Sequence, residues 1–387
     1  MTRRLPILAA LLALLLGTGC SSVTDYKPTA VGKTAEIVVV ADSASWAGTV
    51  GEALRDALAY EMRTFPQPTP SFTLRLQPLS DFALSGIRRQ NGVVFAAALD
   101  DTTATARFLR ARLDSAGVAA LRAGGQGIIE RPDLWMRDQL VVYATAPTDS
   151  ALAAQIRAAG PRLRAGFNAL ARKRTTDEMF EKARQTDVEQ ALLDDHGFAV
   201  NIQHDYFIVQ DTNFVTPDGL LAGFVRFRRI PGDTWRDLFL YYEDDPRFIR
   251  LHPDSIRAVR NRLTETFVQG VLPGSYITIE DRAPDLRPVV ADTVNLGGRF
   301  AIETRGTWRM TGDAMGGPFV SYALYDEDQG RFYLLDGAIY APRYTIPEKR
   351  EFLRQMEAIA HTFRTSAGDA PEVVADAEPP PPESPAP

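Results

Sequence analysis

The sequence predicts an α+β protein with two domains, each with mainly antiparallel sheet and packed helices. Two observations lead to this prediction. Apolar runs typical of strands alternate along the chain with segments whose apolar residues recur every three or four positions, as on one helical face. In the second half, several strand-like runs are separated only by short turns, which favours antiparallel pairing with helices packed on the sheet. The chain has 387 residues, enough for two average domains.

The first half begins with a strand followed by a helix. Residues 36–41 form a continuous apolar run, and Trp46, Val50, Leu54 and Leu58 then recur at fours along one helical face. Further strands are predicted at 72–76, 92–99 and 139–145, and a helix passes through Phe108, Leu109 and Leu113. A long amphipathic helix follows through Leu152, Ile156, Leu163, Phe167 and Leu170.

The polar segment 173–178 is the predicted boundary between the domains, which we place at 35–175 and 176–365. Strands of the second domain are predicted near 198–202, 220–229, 236–242, 298–310, 318–326 and 331–340. Two helices are predicted from apolar residues at helical spacing. The first contains Ile256, Val259, Leu263 and Phe267, and the second contains Phe352, Met356, Ile359 and Phe363.

The N-terminus has the composition of a bacterial export signal. Two arginines precede a run of apolar residues that is too short to cross a bilayer, and small residues then lead to Cys20. This arrangement resembles a lipobox, whose cysteine is acylated and becomes the first residue of the mature protein. Gly17 departs from the leucine usual three positions before that cysteine. We therefore expect a signal peptide at 1–19, a lipidated Cys20 and a tether over 20–34; the alternative is an ordinary secreted protein.

Composition limits the possible partners. Loss of the signal changes the formal net charge from −6 to −8, so the chain lacks the basic surface that nucleic-acid binding requires. Cys20 is the only cysteine, which excludes a disulfide and a thiolate metal site once it is acylated. No second apolar run is long enough to span a bilayer, so the lipid would be the only membrane attachment. We expect a location in the cell envelope, on the outer membrane and facing the periplasm.

The C-terminal segment 366–387 is predicted to be a disordered acidic tail. It contains seven prolines, five acidic residues and no basic residue. Such a composition cannot bury enough apolar surface to offset the entropy of ordering. The alternative, a proline-rich recognition peptide, lacks a P-x-x-P motif flanked by basic residues.

Sequence motifs do not identify a catalytic residue, a cofactor or a metal site. No two of the four histidines are spaced at i+3 or i+4, and neither H-E-x-x-H nor G-x-S-x-G occurs. We therefore expect a binding or assembly module whose partner is an envelope protein or a small polar ligand. The alternative is an envelope hydrolase with a dispersed acidic site.

One group of residues is a candidate ligand or partner site. In a strand, Glu303 and Arg305 point to one face, and the prediction places Phe300 and Ile302 in the core on the other. The candidate site also includes Trp308 and a tight turn at Gly316, Gly317 and Pro318, whose amides could bind a polar ligand. We favour the alternative that Glu303 and Arg305 form a structural ion pair joined by Arg350, with the glycines required by the turn.

Three motifs in the second half resemble a known family: ETRGTW at 303–308, MGGPFVS at 315–321 and IYAP at 339–342. They are similar to lipoproteins of Bacteroidota-like bacteria classified as domain of unknown function 4837. The resemblance extends to 36–54, to DLWMRDQL at 133–140 and to the closing helix, and so covers about residues 33–364. It implies an envelope lipoprotein with no assigned activity. More loosely, the second half is similar to Mog1/PsbP-type sandwiches, which implies a binding or assembly role.

Overall fold

The computed structural model describes residues 27–62, 64–65, 67–245, 251–281, 283 and 288–365. The predicted signal peptide 1–19, Cys20 and the predicted tail 366–387 lie outside the described residues. The predicted class is confirmed, because the chain forms two compact units that each contain helices and a sheet. Of the described residues, the first unit comprises those through Ala53 together with Arg75–Ala158, and the second comprises those within Leu54–Leu74 and from Ala159 onward.

The first unit is built on a mixed five-stranded sheet. Its strands are β1 (Glu36–Val40), β2 (Thr73–Leu76), β3 (Gly92–Ala98), β4 (Ile128–Pro132) and β5 (Leu140–Ala146), in the order β2–β1–β3–β5–β4. Strands β1, β3 and β5 are parallel, and β4 is antiparallel to β5. The expectation of mainly antiparallel pairing is therefore wrong for this sheet.

The composition of β3 explains the parallel pairing. All seven residues of its sequence GVVFAAA are buried, as is typical of a parallel strand covered on both faces rather than of an alternating antiparallel strand. The helices of this part of the chain are α1 (Ser43–Ala47), α2 (Thr49–Leu58), α3 (Asp81–Ile87), α4 (Ala104–Arg110), α5 (Ser115–Arg122) and α6 (Asp149–Phe180). Ile87 of α3 and Ala106 and Leu109 of α4 pack against Phe95 on one face of the sheet.

Short polar residues determine where several of these helices begin. The Asp42 carboxylate accepts hydrogen bonds from Ala44 N and Ser45 N at 2.9 and 3.0 Å, which satisfies amides that have no partner within α1. Ser80, Thr103 and Asp114 cap α3, α4 and α5 in the same way.

The second unit is built on an eight-stranded antiparallel sheet, as predicted for the second half. Its strands are β6 (Phe207–Val215), β7 (Leu221–Arg229), β8 (Trp235–Asp244), β9 (Ile277–Ile279), β10 (Val290–Leu296), β11 (Arg299–Met310), β12 (Gly316–Asp326) and β13 (Arg331–Tyr340). The order is β10–β11–β12–β13–β8–β7–β6, and β9 pairs with β11. The remaining helices are α7 (Thr186–His196), α8 (Pro253–Phe267) and α9 (Ile346–Ala360).

Helices cover this second sheet on both faces. Leu192 of α7 and Met356 of α9 belong to the core on one face, where they pack with strand residues such as Tyr322. On the opposite face, Ile256 and Leu263 of α8 pack with residues such as Phe319. The predicted apolar faces of α8 and α9 are therefore the surfaces that these helices bury.

A buried ion pair lies between α8 and the sheet. Arg260 Nε and Asp336 Oδ2 are 2.6 Å apart, and both residues are at most 2% exposed. The guanidinium lies over the ring of Phe319 at 3.8 Å, and Ser321 Oγ donates a hydrogen bond to Asp336. Such a pair contributes little net stability but fixes the position of the helix, because each charge requires its partner once it is buried.

Some predicted elements differ from the structure. Residues 173–178 lie inside α6, so no linker occurs at the proposed domain boundary. Residues 198–202 do not form a strand, although Ala199 makes an isolated bridge to Arg364. The edge strands β6 and β10 were not predicted, because both have exposed faces and polar interruptions that hide the apolar pattern.

Candidate functional site

The second unit contains a cavity of about 680 Å³, a volume suited to a small ligand. Its walls come from residues 60–62, 64 and 71, from α6 and α9, and from β10 and β11. The charged lining residues are Glu61, Arg172, Asp292, Glu303, Arg305, Arg354 and Glu357. The cavity therefore contains Glu303 and Arg305 of the predicted site and several residues that the prediction did not include.

Strand β11 places Glu303 and Arg305 on the same face, as the alternation of side chains predicts. Arg305 Nη2 donates to Glu303 Oε2 at 2.8 Å, and Arg305 Nη1 donates to Glu357 Oε1 of α9 at 2.6 Å. One guanidinium thus binds two carboxylates and joins the sheet to the helix. We call Glu303, Arg305 and Glu357 the acid–arginine cluster.

The protonation states of the acid–arginine cluster follow from its contacts. Burial raises the pKa of Glu303, but the charge and hydrogen bonds of Arg305 and a hydrogen bond from Tyr322 outweigh it, so that pKa lies below its usual value. Burial alone lowers the pKa of Arg305, yet the two carboxylates raise it well above its ordinary value. Burial and then the charge of Glu303 raise the pKa of Tyr322. At neutral pH, Glu303 is therefore ionised and Tyr322 is a neutral donor.

His361 lies next to the acid–arginine cluster and contacts Arg172 of α6. Burial, and then the positive charge of Arg172, lower the pKa of His361 to about 3. Its imidazole is consequently neutral at neutral pH, and Nε2 can accept a hydrogen bond from Arg172 Nη1, 3.2 Å away. The remaining N–H groups of Arg172 make no ion pair within the described part of the chain.

Other polar groups fix the cavity walls. Arg354 Nη2 donates to Ser71 O at 2.8 Å, and its guanidinium lies 4.8 Å from the ring of Phe72. Asn168 Nδ2 donates to Tyr60 Oη at 3.1 Å. These contacts hold Tyr60 against α6 and Ser71 against α9, and they use donors that would otherwise be available to a ligand.

The structure separates the other predicted site residues from the cavity. Trp308 lies on the opposite face of β11, where its indole Nε1 donates to Ile339 O at 3.2 Å. Gly316, Gly317 and Pro318 are not a turn but the first residues of β12, paired with 307–309 of β11. Trp308 and Gly316 line a second cavity of about 640 Å³.

Close packing explains the glycine at position 317. A Cβ atom there would lie 2.0 Å from Ile339 O, the oxygen that accepts the hydrogen bond from Trp308. The glycine therefore permits the close approach of two strands and does not form a ligand-binding turn.

Two further expectations are corrected. Arg350 does not join Glu303 and Arg305, because its Nε donates to Glu351 and its Nη1 donates to Pro70 O at 2.7 Å. Phe300 is 58% exposed and is not part of the core, whereas Ile302 is buried as predicted. Phe300 lies near the start of β11, beside the exposed edge strand β10, so no element covers its ring.

The residues that the prediction missed come from helices far away in the sequence. Arg354, Glu357 and His361 follow one another at spacings of three and four, which places them on one face formed by α9 and the residue that caps its end, His361. Asn168 and Arg172 have the same spacing on α6. This polar spacing is a weak signal in the sequence, because a solvent-facing surface gives the same pattern.

Within the described residues, no cluster of three or more histidine, cysteine or acidic side chains has the arrangement of a metal site. No helix in the described ranges is long and apolar enough to cross a membrane. The side chains that line the cavity can bind a polar ligand through Arg172. Glu303 cannot act as a general acid at neutral pH, because it is ionised there.

We predict that Arg305→Met lowers the free energy of unfolding by about 3 kcal/mol, because two partly buried carboxylates then lose their shared partner. Replacing Glu303 and Glu357 by glutamine in the same chain should recover most of this loss, whereas replacing only Glu303 should not. Urea unfolding of the single, double and triple variants measures these differences.

Arg343→Met is the matched control for this cycle. The Arg343 side chain is 79% exposed and pairs with Asp233, so its loss should cost less than about 1 kcal/mol. A triple variant as unstable as Arg305→Met alone would contradict the assignment of a shared partner.

We also predict that His361 makes the protein less stable in acid. Because its pKa is about 3 in the folded chain and near 6.5 in the unfolded chain, the unfolded state takes up the proton as the pH falls below about 6.5. His361→Gln should flatten the fall in unfolding free energy between pH 7 and about pH 4. His204→Gln, at an exposed histidine, should leave that slope unchanged; equal slopes in wild type and His361→Gln would refute the prediction.

Comparisons with known families divide the chain into two domains. A family model described as domain of unknown function DUF4837 matches residues 185–362, and one described as domain of unknown function DUF8532 matches residues 30–180. The motifs at 303–308, 315–321 and 339–342 lie inside the first match, but those at 36–54 and 133–140 lie inside the second. The resemblance to DUF4837 therefore does not extend over the first half.

No curated protein and no solved structure matches the chain. The N-terminal part of the chain is therefore similar to the DUF8532 family and the C-terminal part to the DUF4837 family.

Proposed function

We propose that the protein is a lipid-anchored binding module of the cell envelope, and that the cavity of the second unit binds a small ligand with an anionic group. The observation that carries the ligand proposal is the position of Arg172. This arginine lines the cavity and, within the described ranges, donates only to the neutral ring of His361. Its other N–H groups are therefore available to a carboxylate or a phosphate.

The neighbouring groups support binding rather than catalysis. Both carboxylates of the acid–arginine cluster are bound by Arg305, and the low pKa of Glu303 keeps it ionised. A hydrolase that uses a carboxylic acid needs the opposite shift, towards neutral pH. Arg305 binds both carboxylates of the cluster, which leaves Arg172 without a carboxylate partner among the described residues and available to an anion.

The proposed location depends on the N-terminal sequence. An apolar run followed by Cys20 favours acylation, and stable attachment requires about two acyl chains. Ser21 follows the cysteine where an aspartate would favour retention in the inner membrane. We therefore propose the outer membrane, with the protein facing the periplasm.

We predict that a small anion binds the cavity through Arg172. Acetate, succinate, inorganic phosphate and glycerol 3-phosphate are the probes, with uncharged glycerol as the ligand control. At least one anion should raise the melting temperature at millimolar concentration, and Arg172→Met should abolish that increase because the bidentate donor is lost. Calorimetric titration measures the affinity directly.

Two variants of α6 make this test specific. Ala169→Trp fills the cavity and should also abolish binding, whereas Arg162→Met, at an exposed arginine of the same helix outside the cavity, should not. No stabilisation by any of the four anions, or equal stabilisation of wild type and Arg172→Met, would contradict the proposed ligand site.

For the anchor, we predict that metabolically supplied palmitate labels the wild-type protein and that Cys20→Ala abolishes the label. Without acyl chains the protein should move to the soluble envelope fraction, because no apolar anchor remains. Ser21→Ala is the matched control and should keep the label. An unlabelled wild-type protein in the soluble fraction would refute the anchor.

A further inference from the structure

One end of the first unit is basic in a chain with a formal net charge of −6. The parallel strands β1, β3 and β5 all begin at this end, and three segments meet there: residues 27–36, 88–91 and 131–140. We call these three segments the basic end. They contain six basic and three acidic residues, namely Lys27, Lys33, Arg88, Arg89, Arg131 and Arg137 against Glu36, Asp133 and Asp138.

The segment that follows the predicted anchor is bound to the basic end. Lys27 Nζ donates to Asp133 O at 2.8 Å, and Arg137 Nε donates to Lys27 O at 3.0 Å. Backbone bonds continue the contact, from Ala30 N to Arg137 O and from Val31 N to Arg89 O, each 2.8 Å long. The chain therefore enters the folded unit at this end.

A loop at the same end carries apolar side chains that are partly exposed, although Leu134 and Trp135 also pack against the core of the unit. Asp133 and Asp138 have the positive φ angles 49° and 56°, and Gln139 Oε1 accepts hydrogen bonds from Trp135 N and Met136 N. These contacts fix the loop in a conformation that leaves the side chains of residues 134–136 partly exposed. A fixed loop with an indole beside basic residues is suited to the interface between water and lipid.

Three cationic side chains of the basic end are exposed and form no ion pair within the described residues: Lys33, Arg89 and Arg131. Among the acidic residues, Glu36 is bound by Arg75 at 2.8 Å, and Asp133 Oδ1 accepts a hydrogen bond from Gln139 N. The exposed charge at this end is therefore positive, although the whole chain is acidic.

The length of the tether limits which part of the protein surface can lie close to the membrane. Cys20 and Lys27 are seven positions apart, so even a fully extended chain spans only about 25 Å between them. An acyl chain on Cys20 would thus hold the basic end, and not a distant surface, close to the lipid headgroups.

We propose that the basic end lies against the membrane and binds anionic phospholipid headgroups. Lys33, Arg89 and Arg131 would contact the phosphates, and Trp135 would lie at the depth of the headgroups. This inference uses the lipid anchor of the proposed function but does not depend on the cavity or its ligand. Its consequence is a fixed orientation of the first unit on the bilayer.

The test uses the chain from Ser21 onward, which keeps every described residue and lacks the predicted signal peptide and Cys20, so the anchor does not influence the result. Sedimentation with phosphatidylcholine vesicles containing phosphatidylglycerol should show binding that increases with the anionic lipid and decreases with salt. The triple variant Lys33→Glu, Arg89→Glu, Arg131→Glu should bind at least about tenfold more weakly.

The matched control is Arg107→Glu, Arg112→Glu, Arg122→Glu, which changes the net charge equally at exposed positions of the same unit. It should bind like the parent chain. Equal losses in the two triple variants, or binding to phosphatidylcholine alone, would overturn the proposal. Brominated phosphatidylglycerol should also quench tryptophan fluorescence in the parent and not in Trp135→Phe; equal quenching would contradict the orientation. The palmitate-labelling experiment tests the lipid anchor independently of this vesicle experiment.

Discussion

The Arg305 guanidinium is the interaction on which the candidate site depends. It binds Glu303 on its own strand and Glu357 on α9, so one side chain determines how the closing helix lies on the sheet. Tyr322 completes the arrangement from the neighbouring strand by donating to Glu303. Because these hydrogen bonds join two strands and a helix, the polar floor of the cavity is rigid. Arg172, which lacks a carboxylate partner within the described residues, has a different environment in the same cavity.

Arginine is used repeatedly in the second unit as a donor to backbone oxygen. Arg354 binds Ser71 O, Arg350 binds Pro70 O, and Arg164 binds Ala57 O at 2.8 Å. Ser71 and Pro70 lie in a stretch with little regular structure, and Ala57 lies in the last turn of α2, where carbonyls have no partner within the helix. A planar guanidinium can donate to such a carbonyl while its stem packs on apolar surface, which a lysine could do less well. The arginines of these helices therefore stabilise the fold and do not serve only as a solvent-facing surface.

Sequence patterns predicted the central strands and the amphipathic helices because these elements bury one strong apolar face. The runs of β11, β12 and β13 and the apolar stripe of α8 are examples. Parallel pairing in the first unit could have been inferred from the unbroken apolar run of β3. The alternation of side chains along β11 was enough to predict that Glu303 and Arg305 share a face. It could not predict their contact with Glu357, because 52 positions separate Glu357 from Arg305 and only the fold brings them together. The supposed turn at Gly316 and Gly317 shows that glycine also marks close strand packing.

The division of the chain into compact units has a consequence for its synthesis. Residues 54–74 belong to the second unit, although residues 75–158 of the first unit follow them in the sequence. The family boundary, by contrast, falls between residues 180 and 185. The limits of the family matches and the limits of the compact units therefore differ. On the ribosome, Ser71 emerges 283 residues before Arg354, the side chain that binds its carbonyl. One wall of the cavity must remain without its partner until almost the whole protein has been made.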